Sequence, residues 1–188
     1  MENNYFYYLN LPFKLNKPDY LIDEGKTRRL ALTQSKLDKK LISFLDKLNL
    51  DSGLVEAFYT APNDKIFIHC DSPTFDNHVK LNFTWGDVKS STRWWKVKSE
   101  DKLIKGGKYY DDGNPVLHAK EEDCDLICEA VIDKPTLLNV GMLHSTYNPT
   151  NFGRWTLCIV PTLKGQRKMI PFKEAVKIFK KYLYTTNN

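Results

Sequence analysis

The sequence predicts an all-β core, folded as a sandwich or barrel, with a helix on either side. Three observations predict it. Between residues 55 and 160 the chain breaks into short β-rich runs at regular spacing. Turn-forming clusters separate them: Asp71-Ser72-Pro73, Gly86-Asp87, Gly106-Gly107, Asp111-Asp112-Gly113-Asn114-Pro115 and Asn148-Pro149. The flanking segments instead carry apolar residues at helical spacing. A length of 188 residues suits one domain over 1–188. With 41% apolar and 27% charged residues, the chain is not disordered, collagen-like or a coiled coil.

The first 25 residues, rich in Tyr, Phe, Asn and Pro, read as irregular or short-strand structure. A helix is expected next. Ser35 is its N-cap and Asp38 the capping-box partner. Leu37, Leu41, Phe44, Leu45 and Leu48 form its apolar stripe, while Lys36, Lys39, Lys40 and Lys47 face water. Asp51-Ser52-Gly53 ends it. Strands are expected over 65–71, 79–85, 92–98, 125–132, 136–144 and 154–160. Pro171 then opens a second helix, with Phe172, Val176, Phe179 and Leu183 on its apolar side. That helix reads as a brace packed on a sheet.

The net charge of +5 is uneven. Residues 161–188 hold seven Lys and Arg against Glu174 alone, which leaves residues 1–160 close to neutral. A basic tail of this kind argues against a dedicated nucleic-acid binder. No apolar run approaches the ~20 residues that span a bilayer. Residues 1–15 lack a cationic start followed by an apolar core, so the cytoplasm is the expected compartment. Cys70, Cys124, Cys128 and Cys158 are then expected as free thiols. Cys124 and Cys128 with nearby His118 do not have zinc-finger spacing.

The chemistry concentrates in two places. In Ile66-Phe67-Ile68-His69-Cys70-Asp71, side chains two apart on a strand share a face, so His69 and Asp71 present an imidazole and a carboxylate side by side. A charge at the end of an apolar run either faces solvent, where it caps the next turn, or binds something. Downstream, the apolar run 136–143 ends at His144, and ten residues later Arg154 opens another strand with Thr156 on the same face. A guanidinium there can hold a carboxylate through its planar fork. Two His and one Asp form the facial ligand set suited to Fe(II). Asn82, between Leu81 and Phe83, is a polar residue that would point into the same site. His78 and His118 read as surface residues. Trp94-Trp95 with Arg93 reads as core and rim, or else as a pocket wall.

This pattern resembles the Fe(II)/2-oxoglutarate-dependent oxygenases built on the double-stranded β-helix, or jelly roll, and among them the small single-domain, hydroxylase-like members. That family uses His-x-Asp, a distal His, and an Arg about ten residues further with Ser or Thr two beyond it. His69, Asp71, His144, Arg154 and Thr156 match in order, and the resemblance covers about residues 60–161. It implies a jelly-roll core with N- and C-terminal supporting helices. His69, Asp71 and His144 would bind Fe(II). Arg154 and Thr156 would bind the far carboxylate of 2-oxoglutarate, with Asn82 as a further contact. Dioxygen would be the co-reactant, and an unidentified protein side chain or small molecule would be hydroxylated with release of succinate and CO2. The loop 102–119 and the N-terminal Tyr/Phe segment are expected beside that substrate. Two other readings stay open: a jelly-roll binding module with a structural or vestigial metal, and nucleic-acid binding through Lys177, Lys180 and Lys181.

Overall fold

A break in strand pairing, rather than a break in hydropathy, decides how this chain folds. A computed structural model describes residues 3–23, 25–71, 78–86, 89–108, 115–166 and 168–184. In chain order its elements are β1 (Phe6–Tyr8), β2 (Arg28–Leu32), α1 (Lys39–Lys47), β3 (Leu50–Thr60), β4 (Asp64–Cys70) and β5 (Val79–Gly86). There follow β6 (Ser91–Val97), β7 (Ile104–Lys108), β8 (Pro115–His118), β9 (Cys124–Val131) and β10 (Thr136–Asn139). The chain closes with β11 (His144–Asn148), β12 (Arg154–Leu163) and α2 (Phe172–Ile178).

Among the described residues the strands form two antiparallel sheets, ordered β1-β10-β5-β12-β3-β2 and β7-β8-β4-β11-β6-β9. Eight of them, β3 to β6 and β9 to β12, pair as β10-β5-β12-β3 in one sheet and β4-β11-β6-β9 in the other. The chain crosses between the sheets at nearly every step, which is the strand order of a jelly roll. These eight strands begin at Leu50 and end at Leu163, so the core starts about ten residues before the expected 60.

The outward face of the first sheet is apolar. Val55, Leu81, Phe83, Leu137, Leu157 and Ile159 pack there with Leu41, Phe44 and Leu45 of α1 and Phe172, Ala175 and Phe179 of α2. Both helices therefore brace that sheet, as their stripes predicted. The N-cap of α1 is Asp38 rather than Ser35, because its carboxylate accepts the Lys40 N–H at 2.7 Å. Ser35 lies in a short 3-10 turn before it.

Two turn expectations move. Asp51-Ser52-Gly53 lies inside β3, and the chain reverses one step earlier at Asn49, whose φ is 58°. Gly53 sits opposite a register shift between Val160 and Pro161. A Cβ at Gly53 would lie 2.6 Å from Thr162 Cγ2, and the bulge accommodates a proline that cannot donate to the ladder. Gly106-Gly107 belongs to β7, where the pairing slips between Lys105 and Lys108. The clusters at 71–73, 86–87 and 111–115 fall largely on 72–77, 87–88 and 109–114, outside the described residues, as does the middle of the loop 102–119.

The expected strand 136–144 is two strands in different sheets. β10 ends at Asn139, the chain crosses over through residues 140–143, and β11 starts at His144. The crossing is fixed by the backbone: Val140 N–H donates to His78 O at 3.0 Å, and Asp71 N–H donates to Val140 O at 3.1 Å.

Candidate metal centre

The crossing at 140–143 determines where His144 goes. It lands on β11, directly opposite His69 on β4. The two rings stand 4.5 Å apart between centroids. Between His144 and Thr146 the register shifts, so that Thr146 faces Ile66. That bulge in β4 breaks strict alternation, and Ile66 and His69 both line the space between the sheets. Asp71 lies just past the end of β4, with Oδ1 3.3 Å from His69 Nε2.

One ligand atom each from His69, Asp71 and His144 lies within 4.8 Å of the others. Two ligands at right angles on an ion with ~2.1 Å bonds stand about 3 Å apart, so the His69–Asp71 pair is already near that spacing. The protons on the rings are in the right places. His69 Nδ1 lies 2.9 Å from Phe67 O, and His144 Nδ1 lies 2.9 Å from Met142 O. A carbonyl only accepts, so each Nδ1 carries the hydrogen and each Nε2 keeps a lone pair for a metal. Burial lowers the His144 pKa to about 4, against the pull of Asp71. That imidazole is neutral, as a ligand must be.

Asp71 is held as a carboxylate. Burial pushes its pKa up, but the Lys80 ammonium beside it outweighs that and holds it well below the usual range. Lys80 Nζ stands 2.7 Å from Asp71 Oδ2 and 3.0 Å from Glu56 Oε2. Neither Lys80 nor Glu56 was picked out from the sequence. The alternation that singled out Asn82 between Leu81 and Phe83 also puts Lys80 on its face, and that was the available signal.

Arg154 lies in the same cavity, with Thr156, Asn82, Thr60 and Cys158. The cavity is narrow, about 40 Å³. Arg154 is only 2% exposed, and its Nε and Nη1 have no hydrogen-bond partner. Burial lowers its pKa to about 10, so it stays charged at neutral pH. Asn82 Oδ1 is buried and unpartnered as well. An isolated buried guanidinium is costly, and an anion in this cavity could satisfy it.

The structure thus brings His69, Asp71, His144, Arg154, Thr156 and Asn82 to one space. It excludes the other candidates from that space. Trp94 is fully buried, stacked on Phe6 at 5.5 Å and bonded to Asn139 O. Trp95 and Arg93 line a separate groove with Phe67 and Tyr147. His78 and His118 are half-buried rather than on the surface, and neither joins the cluster. Cys70, Cys124, Cys128 and Cys158 are in no disulfide, and Cys124 and Cys128 form no metal cluster among the described residues. No helix among the described residues is long and apolar enough to cross a membrane.

No protein-family model matches the chain, and no curated protein matches it. Solved structures with some similarity include E. coli ycfD, at 10% identity and TM-score 0.42, covering 98% of this chain and 49% of that one. The chain therefore spans about half the length of that protein. Recombinant oxalate oxidase in complex with glycolate is 11% identical, covering 88% and 77% of the two chains at TM-score 0.33. EvdO2 from Micromonospora carbonacea var. aurantiaca is 10% identical, covering 79% and 73% at TM-score 0.29. At such values the jelly roll rests on its own strand order, and the His-Asp-His cluster within it could hold a metal ion.

Proposed function

We propose that the protein is an Fe(II)- and 2-oxoglutarate-dependent dioxygenase that hydroxylates a protein side chain or small molecule, releasing succinate and CO2. One observation carries the reading: a His-Asp-His ligand set shares a buried cavity with a guanidinium that has two unpartnered nitrogens. The residues fit the metal, because both Nε2 lone pairs and one carboxylate oxygen face one another. They leave coordination positions open, as oxygen chemistry on Fe(II) requires. They fit the acid because Arg154 offers a charged donor fork whose Nε and Nη1 have no hydrogen-bond partner among the described residues.

His69, Asp71 and His144 would hold the iron, and Arg154 and Thr156 would hold the acid's far carboxylate, with Asn82 beside it. When bound, iron and 2-oxoglutarate would supply the oxidising power that activates dioxygen. The protein supplies position and shielding. Phe67 O and Met142 O fix the two ring orientations, Lys80 holds the second oxygen of Asp71, and Ile66, Leu138 and Val140 limit water around the cluster.

The test is a titration of Fe(II) and 2-oxoglutarate without oxygen. A weak visible charge-transfer band is expected, followed by succinate once air is admitted. His69→Ala and Asp71→Ala should lose both signals, and Arg154→Met should lose the response to the acid while keeping metal. Metal binding with no response to the acid in the wild type would instead indicate a jelly-roll module with a structural metal.

A further inference from the structure

The ligand carboxylate does not stand alone. Asp71 Oδ2 is paired with Lys80 at 2.7 Å, Lys80 with Glu56 Oε2 at 3.0 Å, and Glu56 Oε1 with Arg29, whose Nε is 2.6 Å away. The contact between Lys80 and Asp71 is a close ion pair rather than an aligned hydrogen bond. Glu56 is 3% exposed and Lys80 7%. These four charges run from the sheet edge at β2 to the cluster, and they cancel in pairs: cation, anion, cation, anion.

The cancellation has an electrostatic consequence at the metal. In an isolated ligand set a carboxylate neutralises half the charge of a divalent cation. Here that carboxylate is already balanced by Lys80. Arg154 adds a buried guanidinium whose Nε and Nη1 have no hydrogen-bond partner among the described residues. A divalent cation entering this space brings charge that the protein does not offset, and charges a few ångströms apart in a buried site interact strongly. The missing negative charge must arrive with a ligand.

We infer that Lys80 couples metal loading to anion loading: it holds down the affinity of the centre for a bare divalent cation, and an anionic chelating acid restores it. The inference rests on the metal-centre reading above and adds a positioning residue with an electrostatic role. Lys80 aims Asp71 and at the same time opposes the cation that Asp71 binds. The centre is then selective for the metal–acid pair over the metal alone, which limits idle occupation by whichever divalent ion is present.

The experiment is calorimetric titration of the full chain with Mn(II), alone and with 2-oxoglutarate, so that no turnover is needed. In the wild type the acid is expected to tighten Mn(II) by about tenfold or more. Lys80→Met is expected to tighten Mn(II) alone by about tenfold and to cut the effect of the acid to about threefold or less. Glu56→Gln removes one of the two carboxylates that balance Lys80, so it should weaken Mn(II) alone by about threefold or more. The opposite signs distinguish charge from architecture, since a purely structural ladder predicts weakening in both variants. Weakening in both, or equal Mn(II) affinity with and without the acid in the wild type, overturns the inference. If near-UV dichroism shows Lys80→Met to be unfolded, Lys80→Gln deletes the same charge and carries the same expected sign. His144→Ala separates the two levels. If it abolishes Mn(II) binding, the metal centre stands whatever Lys80 does; if it leaves binding unchanged, the centre and this inference both fall.

Discussion

Along β12, Trp155, Leu157 and Ile159 point to one side of the sheet, and Arg154, Thr156 and Cys158 point to the other. All six are at most 7% exposed. The outward three meet the helices and the apolar core; the inward three meet a cavity with His69, Lys80 and Asn82. The same strand, equally buried on both faces, therefore does two different things. Burial on the outward side removes hydrocarbon from water and holds the molecule together. Burial on the inward side desolvates charges and hydroxyls, which opposes folding and prepares a site. Burial by itself says nothing about which of the two a residue serves.

The comparison predicts that the faces respond to truncation with opposite sign. Ile159→Ala, on the outward face, should cost about 2–5 kcal/mol in denaturant unfolding, because it leaves a cavity beneath the helices. Its Mn(II) affinity in the folded state should match the wild type. A cost below ~1 kcal/mol would mean that this face is not the stabilising one.

Acid should act on the inward face. The His144 pKa is about 4 in the folded protein against 6.5 for the free side chain. A depressed value means that the unfolded chain binds the proton more readily. The associated stability is present above about pH 6.5 and is lost as pH falls through about 4, up to roughly 3 kcal/mol in all. Unfolding curves at pH 7 and pH 4 should show that loss in the wild type and not in His144→Gln. Equal losses in both would remove His144 from the account.

The smallest effect is the sharpest contrast. Arg154 is buried with two unpartnered nitrogens, so replacing it with an apolar chain of similar length should not destabilise. Arg154→Met is expected to raise stability by on the order of 1 kcal/mol, by the reasoning that buried charges often cost more than they return. A loss comparable to that of Ile159→Ala would place Arg154 among the structural residues.

Much of this was legible in the chain. The apolar stripes of both helices predicted the faces that pack, down to Leu41, Phe44 and Phe179. Strands β4, β5, β6, β9 and β12 lie within a few residues of the runs that predicted them. β3 was missed because Asp51-Ser52-Gly53 has the composition of a turn, while the reversal is made by Asn49 and the glycine serves a bulge against Pro161. β2, β7 and β8 are short and carry weak alternation. Lys80 and Glu56 were missed because an alternating polar residue on a strand ordinarily means a solvent-facing side. Here the polar side faces the second sheet.

Local pattern thus determined which side chains share a strand face, since alternation is a property of two or three neighbouring residues. That was enough to pair His69 with Asp71 and Arg154 with Thr156. It could not bring the pairs together. The run 136–144 has continuous hydropathy, and nothing in it marks the point at which the chain leaves one sheet for the other. That point is set by hydrogen bonds from Val140 to His78 and from Asp71 to Val140, between segments far apart in sequence. Only the folded chain could carry His144 across to His69 and turn two polar patterns into one cavity, because strand pairing is decided by distant partners.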